Sequence, residues 1–272
     1  MLSKFLLCLF ILCSTPVFAT TWVCTHPQVC QLTQDLYQSS GLESPHLVKA
    51  IASILDPHEV EPNSAELKGL FKAEVVISAP SEMHPWIVPI LKMRQKQSHL
   101  KSFQYNISKS LKAKYKNAST EALAHFWLYP DIKCDFYQKL KQWIEIKADE
   151  KPCPYMADAD FLSEVEKTTP IIVSHDALVP LLISYGIKAY SIKGSGHHEE
   201  PSPKQLKNVQ NILKQYPKVL WIVEKQIHFP HSIEQLQRKS DKIIKIDTNN
   251  DFPSTGLSAL EDLKRLLQKS EL

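Results

Sequence analysis

The 272-residue sequence predicts an α/β protein of two lobes, each a parallel sheet flanked by helices, the two joined by a helical linker. Three observations carry this. Short apolar, β-branched runs recur along the chain with amphipathic helical stretches between them, the pattern of parallel strands joined by crossover helices. Several of those runs pass through consecutive apolar residues, as strands buried on both faces do. The middle of the chain breaks the pattern: a helical stretch over Cys134–Ile146 gives way to a polar, charged segment, Ala148–Pro154, interrupted by prolines.

Taken in order, the first residues read as a signal segment. Lys4 supplies a positive start, Phe5–Cys13 is an apolar run, and Val17-Phe18-Ala19 ends in the small-residue pattern of a cleavage site, which predicts export to the periplasm and cleavage after Ala19. Leu12 stands before Cys13 where lipid attachment favours a small residue, and Ser14-Thr15-Pro16 ends the apolar run short of the roughly 20 residues a membrane helix needs. The strands then expected are Thr21–Cys24, Leu47–Ile51, Glu74–Ser78, Ile171–Ser174, Lys188–Ile192, Val219–Glu224 and Lys242–Ile246. Asn63 opens a helix with Glu66 at the capping-box position and Leu67, Leu70 and Phe71 on one face. Pro203–Gln215 reads likewise, with Leu206, Val209, Ile212 and Leu213 inward, and Leu257–Leu272 is an amphipathic helix led by Leu260, Leu263, Leu266 and Leu267. Tyr155–Glu166 is expected as a second short helix of the connection. The resulting division is 1–19 signal segment, 20–145 first lobe, 146–168 linker and 169–272 second lobe. No internal repeat is visible in the residues.

Composition removes several function classes. The net charge of +3, to which Lys4 contributes one, predicts neither nucleic-acid nor strong membrane-surface binding. Glycine is too scarce, at six residues, for phosphate-cradling loops, and only Gly194-Ser195-Gly196 is closely spaced. Beyond the signal segment four cysteines remain, Cys24, Cys30, Cys134 and Cys153, an even number for an oxidising compartment. Of the three pairings open to them, the local one, Cys24 with Cys30 and Cys134 with Cys153, is preferred. The alternative is a metal knuckle of Cys24, His26 and Cys30, whose spacing around a proline matches usual zinc sites poorly.

Open α/β sheets place ligand sites beyond the carboxyl ends of their strands, which sorts the eleven histidines. His58, in Asp56-Pro57-His58-Glu59, follows the second expected strand. His175, in Ser174-His175-Asp176, directly ends the strand over Pro170–Val173. His125 leads the large apolar anchor Phe126-Trp127-Leu128. Any one of these is more simply a surface or capping histidine. Together they offer the neutral imidazoles that suit zinc and similar borderline metals, and a closed site takes four ligands. Asp247, after Lys242–Ile246, is the best placed carboxylate, and Glu224 is the reserve, although a strand-end glutamate more often makes a supporting hydrogen bond. His228 and His231 flank Pro230 in a loop and read as exposed, and Trp86, Trp127, Trp143 and Trp221 read as core residues.

These segments also carry a likeness. Asp56-Pro57-His58-Glu59-Val60-Glu61-Pro62 with Ala65-Glu66-Leu67-Lys68, then Ala73-Glu74-Val75-Val76-Ile77, His125-Phe126-Trp127-Leu128-Tyr129-Pro130, Ser174-His175-Asp176-Ala177, and Tyr185-Gly186 followed by Glu200–Leu206 resemble, in order, the motifs of the zinc and manganese solute-binding proteins of ABC importers. The resemblance spans nearly all of the chain beyond the signal segment. It implies a metal receptor with His58 and His125 from the first lobe and His175 and Asp247 from the second as ligands in the cleft, an importer permease as partner, a monomer, and no enzymatic activity. Zinc is the implied ion, with manganese or iron as alternatives. His175 stands where manganese-preferring relatives tend to have Glu, and a third nitrogen ligand favours zinc.

The departures are specific. Tyr129 stands where the second motif usually has Asp, which puts the partner of the neighbouring histidine in question. His84 replaces an acidic residue before Pro85-Trp86 and is expected at the surface, with an approach to the cleft as the alternative. The His-rich loop of many zinc receptors is missing, and His197-His198-Glu199-Glu200 is the sole candidate for an auxiliary metal-collecting segment. The long helix joining the family's lobes is shortened. From other classes, a zinc hydrolase would leave a position open for water with Glu59 as base, but no His-Glu-x-x-His run is present; a metal-stabilised adhesin is the remaining alternative.

Overall fold

The computed structural model describes residues 21–50, 61–147, 153–192, 200–225, 231–248 and 259–269. Two four-stranded, all-parallel sheets organise them. The first is built from β1 (Thr21–Cys24), β2 (His46–Lys49), β3 (Val75–Ser78) and β4 (Lys101–Gln104) in the order β2-β1-β3-β4. The second uses β5 (Ile171–Val173), β6 (Ala189–Ser191), β7 (Leu220–Glu224) and β8 (Lys242–Ile246) in the order β6-β5-β7-β8. The two orders are the same, so the structure holds an internal repeat of topology that the residues do not display. β3 and β7, each flanked by strands on both sides, are buried at every position, which accounts for their apolar runs Val75–Ile77 and Leu220–Val223. β4 is the strand absent from the sequence expectation. Lys101-Ser102-Phe103-Gln104 has one apolar residue, because an edge strand needs only Phe103 to reach the core.

Helices connect the strands, as parallel pairing requires. In the first lobe these are α1 (Pro27–Ser39), α2 (Ser64–Lys72) and α3 (Ile87–Arg94), followed by α4 (Lys109–Lys114), α5 (Thr120–Ala124) and α6 (Pro130–Trp143). In the second they are α7 (Val179–Ser184), α8 (Pro203–Gln215), α9 (His231–Glu234) and α10 (Ala259–Lys269). The capping boxes form as expected: Asn63 accepts from the backbone N–H of Glu66, whose carboxylate accepts from the N–H of Asn63, and Ser202 and Gln205 repeat the exchange at α8. Both helices end under an arginine fork, buried at Arg94 and half-buried at Arg238. Arg94 donates to the carbonyls of Leu70, Ala73, Glu74 and Lys101, and Arg238 donates to those of Leu213 and Tyr216 while holding Asp241.

Among the described residues, the connection between the sheets runs through α4, α5 and α6, and no α-helix follows α6 before β5. α6 stops in a Schellman turn, with Glu145 N–H on the Gln142 carbonyl, Ile146 N–H on the Lys141 carbonyl, and Glu145 at φ 60°. The segment expected as a second helix, Tyr155–Glu166, is instead a series of turns with one 3-10 turn at Asp160–Ser163. Both local disulfides are present, Cys24–Cys30 and Cys134–Cys153, with Cα separations of 5.4 and 5.8 Å. That answers the knuckle alternative, since Cys24 and Cys30 spend their sulfurs on each other.

The apolar core is not divided with the sheets. One cluster runs from Val75, Ile77 and Phe103 in the first sheet through Phe126, Leu128 and Leu162 to Leu178, Ile222, Leu260 and Leu263 in the second lobe. Smaller clusters cover the outer sheet faces, one with Leu70, Ile87 and Ile90 and the other with Val209, Trp221 and Ile233. No helix among the described residues is long and apolar enough to cross a membrane.

Candidate metal centre

His125 is held by the chain on either side of it. Ser119 caps α5 by accepting from the Ala122 N–H at 2.9 Å, and α5 ends at His125. A 3-10 turn over Phe126–Leu128 and Pro130 at the start of α6 follow at once, and the intervening apolar side chains are all buried. The imidazole, 2% exposed, places Nδ1 3.1 Å from the Glu121 carbonyl. A carbonyl only accepts, so Nδ1 carries the proton and Nε2 carries the lone pair. Metal-binding histidines are fixed in this way, by a carbonyl or carboxylate on the far nitrogen.

His175 comes from the second lobe. It follows β5 and caps the next turn, with Nδ1 3.3 Å from the Ala177 N–H. Carboxylates stand on both sides of its ring: Glu224 Oε1 is 3.4 Å from Nδ1, and Asp176 Oδ1 is 3.3 Å from Nε2. Nδ1, which accepts the Ala177 N–H, presents its lone pair to the backbone, and the two carboxylates flank the ring. Burial raises the Asp176 carboxyl above its ordinary value, opposed by His175 and by the Ser119 hydroxyl. The His125 and His175 rings lie 4.9 Å apart between centroids, at 62°. That spacing fits one ion bonded to a nitrogen of each ring at about 2.0–2.1 Å.

Of the other expected ligands, Asp247 is half-buried immediately after β8. Its neighbour Thr248 donates its hydroxyl to Glu224 Oε2 at 2.6 Å and accepts the Trp127 indole N–H on its carbonyl at 2.8 Å. Glu224 thus acts as a support for His175 and Thr248. His58 lies outside the described residues, as do His197, His198 and His228. Among the described residues, no three histidine, cysteine or carboxylate side chains converge on a single point; the described part of the site is the His125–His175 pair.

Three hydrogen bonds cross between the lobes around this pair. Trp127 reaches Thr248, the Ser119 hydroxyl reaches Asp176 Oδ2 at 3.0 Å, and the Tyr129 hydroxyl donates to the Ala177 carbonyl at 2.6 Å. The question raised by Tyr129 is answered in part by the last of these. His125 takes its partner from Glu121, and Tyr129, wholly buried, ties the lobes; burial first, then the charge of Asp176, raises its phenol well above the ordinary value.

His84 departs from expectation. It is buried, not at the surface, with its ring stacked on Trp86 at 5.2 Å and tilted toward His26 at 5.8 Å. The signal available in the sequence was Met83 and Ile87 on either side, both fully buried. His26, weighed only as part of the cysteine knuckle, is also buried and stacks on Trp127 at 4.3 Å. His231 is exposed as expected.

The described residues thus form two α/β lobes of like sheet order, with an imidazole from each meeting at their junction. No protein-family model matches the sequence, and no characterised protein matches it by sequence. Solved structures do match. The laminin-binding adhesin Lmb of Streptococcus agalactiae aligns with a TM-score of 0.67 at 20% identity over 93% of this chain and 98% of its own. The periplasmic zinc-binding protein TroA of Treponema pallidum aligns at 0.66 and 14% identity over 92% and 96%. AdcAII of Streptococcus pneumoniae aligns at 0.66 and 17% identity over 93% and 97%. At these identities the likeness establishes the fold.

Proposed function

We propose that this chain is an exported receptor that captures a divalent transition metal, zinc ahead of manganese or iron, and delivers it to the permease of an ABC importer. The observation that carries the reading is the buried His125–His175 pair, one imidazole from each lobe, each with a partner positioned at a second ring nitrogen. His58 and Asp247 complete the ligand set in this reading, with lobes at 20–145 and 169–272 and a linker at 146–168. TroA, similar in fold, is described as a periplasmic zinc-binding protein, and Lmb as a bifunctional protein with adhesin and metal transporting activity. Export with cleavage after Ala19, a monomeric state and the absence of enzymatic turnover belong to the same proposal.

The test is metal analysis and chelator-competed titration of the mature protein with zinc and manganese. One tightly bound zinc is expected, with His125→Ala and His175→Ala each lowering affinity by at least about 100-fold and Asp247→Ala lowering it less. Manganese binding ahead of zinc would overturn the choice of ion, and zinc-dependent hydrolytic turnover abolished by His125→Ala would overturn the receptor reading. His175→Glu should move preference toward manganese. The Lmb likeness supports a second reading, adhesion to laminin; binding to immobilised laminin that survives removal of the metal would favour it.

A further inference from the structure

Asp176, a residue of the second lobe, is held in place by the first. Its Oδ2 accepts the Ser119 hydroxyl at 3.0 Å, and that hydroxyl in turn accepts the Ala122 N–H that caps α5, the helix ending at His125. The hydroxyl is used in both directions, so the cap that places His125 also places the carboxylate. Oδ1 is differently situated. It is buried, and no hydrogen bond reaches it among the described residues. The group it faces is the His175 imidazole, with Nε2 at 3.3 Å. The ion pairs of the described residues give Asp176 no lysine or arginine, and the other charged side chains it feels are carboxylates, Glu121 and Glu224. A buried carboxylate oxygen without a donor is costly to keep, and this one stands beside the two imidazoles whose rings lie 4.9 Å apart. A cation bound at those rings would supply what the oxygen lacks.

We propose that Asp176 is the charge-supplying residue of the metal centre: its carboxylate, pinned beside His175 by Ser119 of the opposite lobe, holds a divalent cation at the imidazole pair through its negative charge. It acts on the ion by its field, outside the ligand set. The inference rests on the receptor reading for the identity of the ion. Attraction between a divalent cation and a carboxylate a few ångströms away is large even at an effective dielectric constant of about 20, so removing the charge alone should weaken binding at least about tenfold. The same change should not weaken the metal-free protein, because Oδ1 makes no hydrogen bond there that could be lost. Weaker binding with undiminished stability separates a charge that acts on the ion from a contact that only joins the lobes.

The experiment compares Asp176→Asn and Asp176→Glu with the unmutated mature protein, by chelator-competed zinc titration and by urea denaturation of the metal-free forms. Asparagine keeps an acceptor for the Ser119 hydroxyl and loses the charge; glutamate keeps the charge. Asp176→Asn should bind zinc at least about tenfold more weakly, with a metal-free denaturation midpoint equal to or above that of the unmutated protein. Asp176→Glu should retain more of the affinity than Asp176→Asn. An Asp176→Asn affinity within about twofold of the unmutated value overturns the proposal. So does weaker binding that comes with a lower metal-free midpoint, the mark of a merely structural contact, and so does an Asp176→Glu that binds no better than Asp176→Asn. An unmutated protein that binds no zinc overturns the receptor reading and this inference with it, so the titration of the unmutated protein tells the two failures apart.

Discussion

At the scale of single residues, the site depends on contacts that residue types alone do not reveal. Tyr129 is the clearest case. Its position in the second motif suggests a partner for His125, yet its hydroxyl serves the Ala177 carbonyl across the junction. Tyr129→Phe should therefore cost about 1 kcal/mol in urea denaturation while leaving zinc affinity nearly unchanged; a large loss of affinity would mean that the phenol orients His125 after all. Trp127→Phe leaves the Thr248 carbonyl without its indole donor and should cost about 1–3 kcal/mol, read in the same denaturation experiment. His125 and His175, which the structure brings together, were singled out in the sequence because one stands beside an apolar anchor and the other ends an expected strand. His26 was not legible as a buried group, because Trp127 covers it from another part of the chain, whereas His84 had its signal in the buried Met83 and Ile87 close by. The support that Glu121 gives His125 was equally hidden, since a backbone carbonyl has no signature in sequence.

At the scale of elements, legibility followed local chemistry. α2 and α8 were readable because a capping box and a one-sided apolar pattern agree in each, and the central strands because burial on both faces leaves consecutive apolar residues, Val75–Ile77 and Leu220–Val223. β4 and the turns after α6 were not, as edge strands and 3-10 turns lack a periodic signal. Three helices end in Schellman turns, with Gly41 at φ 67°, Gly186 at φ 76° and Glu145 at φ 60° in the left-handed position. Glutamate has a Cβ that disfavours this conformation, so Glu145→Gly should stabilise the protein by about 1 kcal/mol, seen as a higher denaturation midpoint. Arg94 is buried beneath four carbonyls, and Arg94→Ala should cost at least about 3 kcal/mol. The partner of the other fork, Asp241, is raised by burial but lowered more by its bonds from Arg238, Trp221 and Val219, for a net shift below the ordinary carboxylate value. A carboxyl lowered on folding stabilises above its unfolded pKa and loses that contribution as pH falls through its folded one. Asp241→Asn should accordingly be less stable at neutral pH and lose less on acidification below the ordinary carboxylate range, measured by denaturation across pH.

At the scale of the whole molecule, the two-lobed class was legible and the manner of joining was not. The residues announce strands and helices in alternation; they do not announce that both sheets follow one order, or that the core passes from one lobe into the other. The Cys134–Cys153 bridge closes the loop after α6, and its removal by paired Cys→Ser substitution should cost about 3 kcal/mol on chain-entropy grounds. The continuous core has a further consequence. A chain cut between residues 145 and 169 should yield two pieces that each expose half of a shared interior, with Phe126 and Leu128 on one and Leu178 and Leu263 on the other. Neither piece should fold alone. Calorimetry of the intact protein should show one endotherm with equal calorimetric and van't Hoff enthalpies, as expected of a molecule that melts as a unit despite having two sheets.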